Sequence, residues 1–145
     1  MEKNNMSNSG KRKSGDANLA SEFYVASQLY RLGYTVTITL GHTKEIDLIV
    51  AHSDGRIITI DVKGLKNTTN WPLTPKLKNE NHFYILVNYK NKFSDLSFHP
   101  EVFVIPSLEI ENVLVSWAGK PNVTCVGYKD VKNSKYKNAW GLLFK

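Results

Sequence analysis

The stretch from residue 45 to residue 63 constrains the fold of this chain most. Two apolar, β-branched segments, 45–52 (EIDLIVAH) and 56–63 (RIITIDVK), flank the tripeptide Ser53-Asp54-Gly55. Segments of this composition predict strands, and a three-residue loop that ends in glycine predicts a tight hairpin with Gly55 in the left-handed region. The sequence therefore predicts an antiparallel β-hairpin in the middle of the chain.

The length of this loop also predicts the pairing of the two strands. With three loop residues, His52 pairs with Arg56, and Asp47 then lies across from Asp61 on the same face of the hairpin. Lys63 lies two residues beyond Asp61 and shares that face. A two-residue turn at Asp54-Gly55 would shift the pairing by one residue and break this alignment.

A helix is predicted for residues 16–32, with Ser14 or Asp16 as its N-cap and Gly33 as its stop. Its apolar face is expected to consist of residues at helical spacing, namely Leu19, Phe23, Ala26, Leu29 and Tyr30. Glu22 lies on this face or at its margin. A partly buried carboxylate costs free energy unless it has a partner, so Glu22 needs one.

Further elements complete an α/β or α+β layered fold. The segments 34–40, 82–89 and 101–105 are predicted strands. Residues 107–117 are predicted to form a helix capped by Ser107, and the connection 64–81, which contains two prolines, is not expected to hold a helix.

Length and composition indicate one domain, at residues 14–145, preceded by a disordered basic arm at residues 1–13. No apolar run is long enough to span a bilayer, and the first residues do not resemble a secretory signal. The single cysteine, Cys125, excludes an internal disulfide and a cysteine zinc cluster and is expected to be buried. A cytoplasmic location is the expectation.

Three acidic residues and one lysine are expected to converge on one site. Two opposed aspartates repel each other, and protonation, an ion pair with Lys63 or a divalent cation would relieve the repulsion. Oxygen ligands in a small cluster suit Mg²⁺, with Mn²⁺ as a substitute. The alternatives are a surface charge at Asp47, an ordinary ion pair between Asp61 and Lys63, and a structural partner for Glu22.

The residues Glu22, Glu45-Ile46-Asp47 and Asp61-Val62-Lys63 resemble the pattern of the PD-(D/E)xK nuclease superfamily, and are similar to small archaeal-type Holliday-junction resolvases and related uncharacterised nucleases. The clear resemblance covers residues 14–64 and extends at the level of the fold to about residue 117. Position 46 is isoleucine where the family pattern has proline.

This resemblance implies an α/β fold with a restriction-endonuclease-like core, in which helices flank a central mixed β-sheet. It further implies a Mg²⁺-dependent endonuclease that cuts DNA and often works as a homodimer. Asp47, Asp61 and the carbonyl of Val62 would be metal ligands, Lys63 the catalytic lysine, and Glu22 a carboxylate that completes the site. A non-catalytic nucleic-acid-binding module and a protein-interaction domain are the alternatives.

The net charge of +6 is concentrated at the two ends of the chain, since residues 1–13 and 120–145 are basic and the middle is slightly acidic. Basic surface attracts phosphate backbones. The candidate DNA contacts are Lys11, Arg12, Lys13, Lys129, Lys132, Lys135 and Lys137. Trp71 is a candidate platform for an unpaired base, and His42 could contact substrate. The alternatives are a solvated tail for the lysines and packing over the core for Trp71.

Overall fold

A computed structural model describes residues 3–40 and 45–145 of the chain, with side chains from Gly15 onward. The helices and strands are α1 (Lys3–Arg31), β1 (Thr35–Ile38), β2 (Leu48–Ala51), β3 (Ile57–Leu65), β4 (Asn70–Pro72), β5 (His82–Asn88), β6 (Glu101–Pro106), β7 (Leu114–Trp117), β8 (Lys120–Gly127) and α2 (Tyr128–Val131). Two 3-10 helices, Ser107–Asn112 and Trp140–Leu142, complete the described elements.

The main sheet has five strands in the order β1-β2-β3-β5-β6. The pair β3–β5 is parallel, and the other neighbouring pairs are antiparallel. Helix α1 packs on one face of the sheet through the apolar cluster that includes Val25, Leu29, Leu48 and Ile60. The α/β class with a central mixed sheet, predicted from the sequence, is confirmed.

The central hairpin has the predicted register. Leu48 pairs with Ile60 and Ala51 pairs with Ile57, and the His52 amide donates to the Arg56 carbonyl at 2.9 Å. Gly55 adopts a φ of 92°, the left-handed conformation that this loop requires. The three-residue loop therefore sets the pairing of β2 with β3.

Helix α1 ends as predicted, before Gly33 in the left-handed conformation, but it begins at Lys3. The expected start near residue 16 is wrong, because the backbone is already helical within the segment assigned to a disordered arm. The side chains of residues 1–14 lie outside the described residues.

The apolar face predicted for α1 is partly wrong. Leu19, Phe23 and Tyr30 are exposed, and the buried positions of the described part of the helix are Ala17, Ser21, Val25, Ala26 and Leu29. Small residues at the beginning of this stripe let the helix approach β3 closely. A Cβ added to Gly64 would overlap the Ala17 carbonyl oxygen and the Ser21 hydroxyl.

A second sheet, with strand order β4-β8-β7, covers the other face of the main sheet. Between them lies a second apolar cluster that includes Leu65, Trp71, Tyr84, Phe103 and Val126. The helix predicted for residues 107–117 is wrong, since the 3-10 helix ends at Asn112 and β7 follows. Strand β7 pairs with β8 through the turn at Gly119, whose φ is 76°, and this pairing overrides the helical spacing.

In the part of the chain that the structure describes, no helix is long and apolar enough to cross a membrane.

Candidate functional site

Asp47 lies where β2 has not yet begun, and it contacts β3 on both sides of Asp61. Its amide donates to the Ile60 carbonyl at 2.9 Å, and its carboxylate Oδ2 accepts from the Val62 amide at 2.7 Å. The carboxylate therefore takes the place that a backbone carbonyl of a longer β2 would occupy. Asp47 is fixed by backbone contacts and is not a free surface charge.

Asp61 is almost fully buried, with 8% of its surface exposed. Burial raises its pKa to about 7, the nearby ammonium group of Lys63 lowers it, and the adjacent carboxyl of Asp47 raises it further. The Lys63 Nζ lies 3.5 Å from Asp61 Oδ1. Asp61 is thus buried while Lys63 is partly exposed, so the pair differs from the fully exposed ion pair that the sequence alone also allowed.

Glu22 reaches the same group from α1. Burial raises its pKa to about 7, the neighbouring Asp47 adds to this rise, and Lys63 opposes it. Asp47 raises the pKa of both Glu22 and Asp61, so its carboxyl lies near each of them. The three carboxyls, of Glu22 on α1, Asp47 before β2 and Asp61 on β3, are called here the acidic row.

Asn18 and Gly64 tie the helix to this strand, and the sequence reasoning missed both. The Gly64 amide donates to Asn18 Oδ1 at 2.8 Å, and Gly64 follows Lys63 directly. Asn18 lies one helical turn before Glu22, a spacing that places both residues on one side of α1. This four-residue spacing was the feature of the sequence from which a place for Asn18 near Glu22 could have been predicted.

His82 and Thr59 extend the face that carries Asp61. Thr59 Oγ1 lies 2.7 Å from His82 Nδ1, and His82 pairs with Thr59 across β3 and β5. Burial lowers the pKa of His82 to about 4, although Asp47 opposes this shift. His82 is therefore neutral at pH 7 and contributes no positive charge to the acidic row.

A cleft of about 270 Å³ opens above Asp61 and Lys63. Its lining includes Glu45 and Lys76, Leu73, which directly follows β4, and Val123 and Thr124 of β8. Lys76 Nζ lies 3.6 Å from Glu45 Oε1 in an exposed ion pair. Lys76 is another residue that the sequence reasoning did not single out, because it lies in an irregular connection.

Among the side chains of residues 15–40 and 45–145, no set of three or more His, Cys, Asp or Glu is arranged as a ready metal site. The donors that do adjoin are the carboxyls of Asp47 and Asp61, and Val62 is a further candidate. The amide of Val62 points at Asp47, and in a strand the carbonyl of a residue points to the same side as its amide. These are hard oxygen donors, the kind that Mg²⁺ takes.

Trp71 cannot serve as an exposed base platform. Its ring is fully buried, and its indole Nε1 donates to the Val87 carbonyl at 3.1 Å. The prediction that Trp71 stacks on an unpaired base is therefore wrong, and the alternative of packing over the core is confirmed. Cys125 is buried, as expected.

The lysines of the tail are not brought to the acidic row. Lys135 pairs with Glu109 at 3.0 Å and Lys137 pairs with Glu101 at 3.0 Å. Glu101 begins β6, at the edge of the main sheet far from β2. Lys129 and Lys132 are exposed at α2, and a contact of the four lysines with DNA stays a prediction.

The remaining candidates lie outside the described residues. The side chains of Lys11, Arg12 and Lys13 belong to the part of α1 that is described by its backbone alone, and His42 falls in the segment 41–44.

Comparisons of this chain with protein-family models, with curated proteins and with solved structures find no match.

Proposed function

We propose that this chain is a Mg²⁺-dependent endonuclease of the PD-(D/E)xK kind, with a restriction-endonuclease-like core, which hydrolyses DNA phosphodiester bonds in the cytoplasm. One observation carries the proposal. The hairpin register and the position of α1 bring Glu22, Asp47, Asp61 and Lys63 together, although 41 positions separate the first of them from the last. A homodimer stays a prediction from the family resemblance.

The donor set fits a hard divalent cation. Asp47 and Asp61 adjoin, and the pKa of Asp61 is raised to about 7 partly by the charge of Asp47. A cation held between them would relieve the repulsion that raises this pKa. Mg²⁺ needs only one or two carboxylates because it keeps several waters, so Asp47, Asp61 and the Val62 carbonyl would suffice. When bound, it would lower the pKa of a coordinated water and stabilise charge on the phosphate.

The chain's own residues supply the remaining chemistry. Lys63 is partly exposed to the cleft and lies beside Asp61, so its ammonium group can bind a phosphate oxygen or orient the attacking water. Glu22, whose pKa is raised to about 7, can hold or accept a proton near neutral pH. The backbone contacts of Asp47 keep its carboxylate in place without help from substrate.

The direct test is DNA cleavage with Mg²⁺ or Mn²⁺. We expect Asp61→Asn and Lys63→Ala each to reduce the cleavage rate by about 100-fold or more, the usual effect of removing an acid–base or charge-stabilising group. Asp130→Asn, an exposed carboxylate on α2, is the matched control and should cut at the wild-type rate. Cleavage by Asp61→Asn at the wild-type rate would contradict the assignment.

Metal binding separates this function from a non-catalytic nucleic-acid-binding module on the same fold. Calorimetric titration with Mn²⁺ should give binding heat in the wild-type chain, and Asp47→Ala should abolish it. A chain that binds DNA in a salt-dependent way but takes up no metal would favour the binding module. A chain with no affinity for DNA would favour the protein-interaction domain.

A further inference from the structure

We infer that the cleft above Asp61 and Lys63 admits one unpaired DNA strand and excludes the double helix. This inference rests on the proposed function and names the substrate class of that same site. Asp61 lies at the floor of the cleft with 8% of its surface exposed. A scissile phosphate must therefore enter the cleft to reach it.

The size of the cleft limits what can enter. Its volume of about 270 Å³ is slightly below the roughly 300–1,000 Å³ of pockets that hold drug-sized ligands, so it has room for about one nucleotide. The phosphates of a double helix lie on the outside of a wide, stiff rod, and the rod as a whole cannot enter a cleft of this size. A phosphate of a duplex therefore reaches the recessed site only where base pairs open and its strand separates, which costs free energy. An unpaired strand meets no such cost.

The wall of the cleft is part of a sheet and not a loose loop. The Leu73 amide donates to the Thr124 carbonyl at 3.1 Å, and the Thr124 hydroxyl donates to the Leu73 carbonyl. Two residues before Leu73, the buried indole of Trp71 fixes the same strand to Val87. Opening the wall for a duplex would break these hydrogen bonds and expose apolar surface.

The charges in the cleft are balanced, so shape is the selective element. Two carboxyls, Glu45 and Asp61, and two ammonium groups, Lys63 and Lys76, line it. The exposed pair of Glu45 with Lys76 is the kind of surface ion pair that contributes about 0–1 kcal/mol. Lys76 can therefore leave Glu45 for a backbone phosphate at little cost, which makes it a binding residue for the incoming strand.

The experiment compares one end-labelled oligonucleotide in three forms: alone, annealed to its complement, and annealed with one end left unpaired. With Mn²⁺, we expect the single strand and the unpaired end to be cut at least about tenfold faster than the paired region, equivalent to about 1.4 kcal/mol. Cutting of the paired region at the rate of the single strand would overturn the inference.

Two pairs of variants locate the effect in the cleft. Val123→Trp fills the cleft from the second sheet, while Val115→Trp changes a valine of similar exposure on the same sheet outside the cleft (37% and 44% exposed). We expect the first variant alone to weaken single-strand binding and cleavage, with both unfolding near the wild-type temperature. Lys76→Ala should raise the KM for the single strand several-fold, whereas Lys78→Ala, which removes the partner of Glu111, should not.

A binding assay keeps the inference distinct from the proposed function. Fluorescence anisotropy with the Asp61→Asn chain measures affinity for the same oligonucleotides without cleavage. If the wild-type chain cuts no DNA but single strands still bind more tightly than duplex and Val123→Trp removes that preference, the nuclease proposal fails and the cleft assignment stands. Equal affinity for both forms, or no effect of Val123→Trp, overturns the cleft assignment whether or not DNA is cut.

Discussion

The two halves of β3 differ in what lies beside them. Residues Ile57 to Ile60 pair with β2 in a regular antiparallel ladder. From Val62 onward β2 is absent, and the amides of Val62 and Gly64 donate to the side chains of Asp47 and Asn18. Since backbone amides that are shielded from water need partners, side chains from two other elements take over the role of the missing strand.

This difference explains why the acidic row lies where it does. In the first half of β3, the antiparallel ladder with β2 completes the hydrogen bonding of the strand. In the second half, the groups that complete the hydrogen bonding are themselves polar, and they bring a carboxylate and the Glu22-bearing helix next to Asp61 and Lys63. The contacts that complete the hydrogen bonding of β3 thus also assemble the candidate site.

The largest effect on stability is expected from Gly64→Ala, which breaks the close packing of the second half against α1. The added Cβ would overlap the Ala17 carbonyl oxygen, and such overpacking typically costs about 1–3 kcal/mol. Urea unfolding measures the loss. Gly141→Ala, where a Cβ meets nothing within 4 Å, is the control, and equal midpoints for the two variants would show that α1 does not lie this close to β3.

A pH dependence of smaller size is expected from the acidic row in the absence of divalent cations. The pKa values of Glu22 and Asp61 rise from ordinary values of 4.5 and 3.8 to about 7. Between these limits the folded chain binds more protons than the unfolded chain, so its free energy of unfolding falls as pH rises toward 7 and levels off above it.

Asp61→Asn sharpens this test because it removes one of the two titrating groups. At pH 8 we expect it to raise the free energy of unfolding by on the order of 1–2 kcal/mol, since one pKa unit corresponds to about 1.4 kcal/mol and neighbouring groups relax. Thermal unfolding between pH 4 and pH 8 measures the slope. An unchanged slope in this variant would contradict the assigned burial of Asp61.

The smallest effect is expected from Asn18→Ala, which removes the acceptor of the Gly64 amide. A lost hydrogen bond of this kind costs about 0.5–1.5 kcal/mol, and Asn18→Asp, which keeps an oxygen acceptor, should lose less. Ser27→Ala, exposed on the same helix, is the control in the same unfolding assay. A loss in Asn18→Asp as large as in Asn18→Ala would show that the hydrogen bond is not what matters there.

The sequence allowed the hairpin and its register to be predicted because both follow from local rules. Ser53-Asp54-Gly55 favours a three-residue loop over a two-residue turn, and the loop sets the partners of β2. The strands near residues 82–89 and 101–105 follow from their apolar, β-branched composition in the same way. The hairpin is the part of the fold in which neighbours in sequence are neighbours in space, whereas the parallel pairing of β5 with β3 joins segments that are more distant in sequence.

The errors occurred where distant elements meet. The large apolar residues Leu19 and Phe23 were assigned to the buried face of α1, but the close approach at Gly64 selects the small residues Ala17 and Ser21 instead. The segment around Leu114 has helical spacing, yet its pairing with β8 makes it a strand. Of the candidate site, Glu22, Asp47, Asp61 and Lys63 were predicted by pattern, whereas Asn18 and Lys76 could be identified only from tertiary contacts.

The pairing of β4 with β8 has a consequence for the order of folding. The hairpin that carries Asp47, Asp61 and Lys63 forms between strands that are adjacent in sequence. Trp71 instead pairs with Val126, which is far away in the sequence, and pairings between distant segments form slowly. We therefore expect the acidic residues to reach their native positions while β4, which precedes the wall of the cleft, has not yet paired with β8. During synthesis the proposed cation site would therefore form first, and the proposed selectivity of the cleft for an unpaired strand would form last.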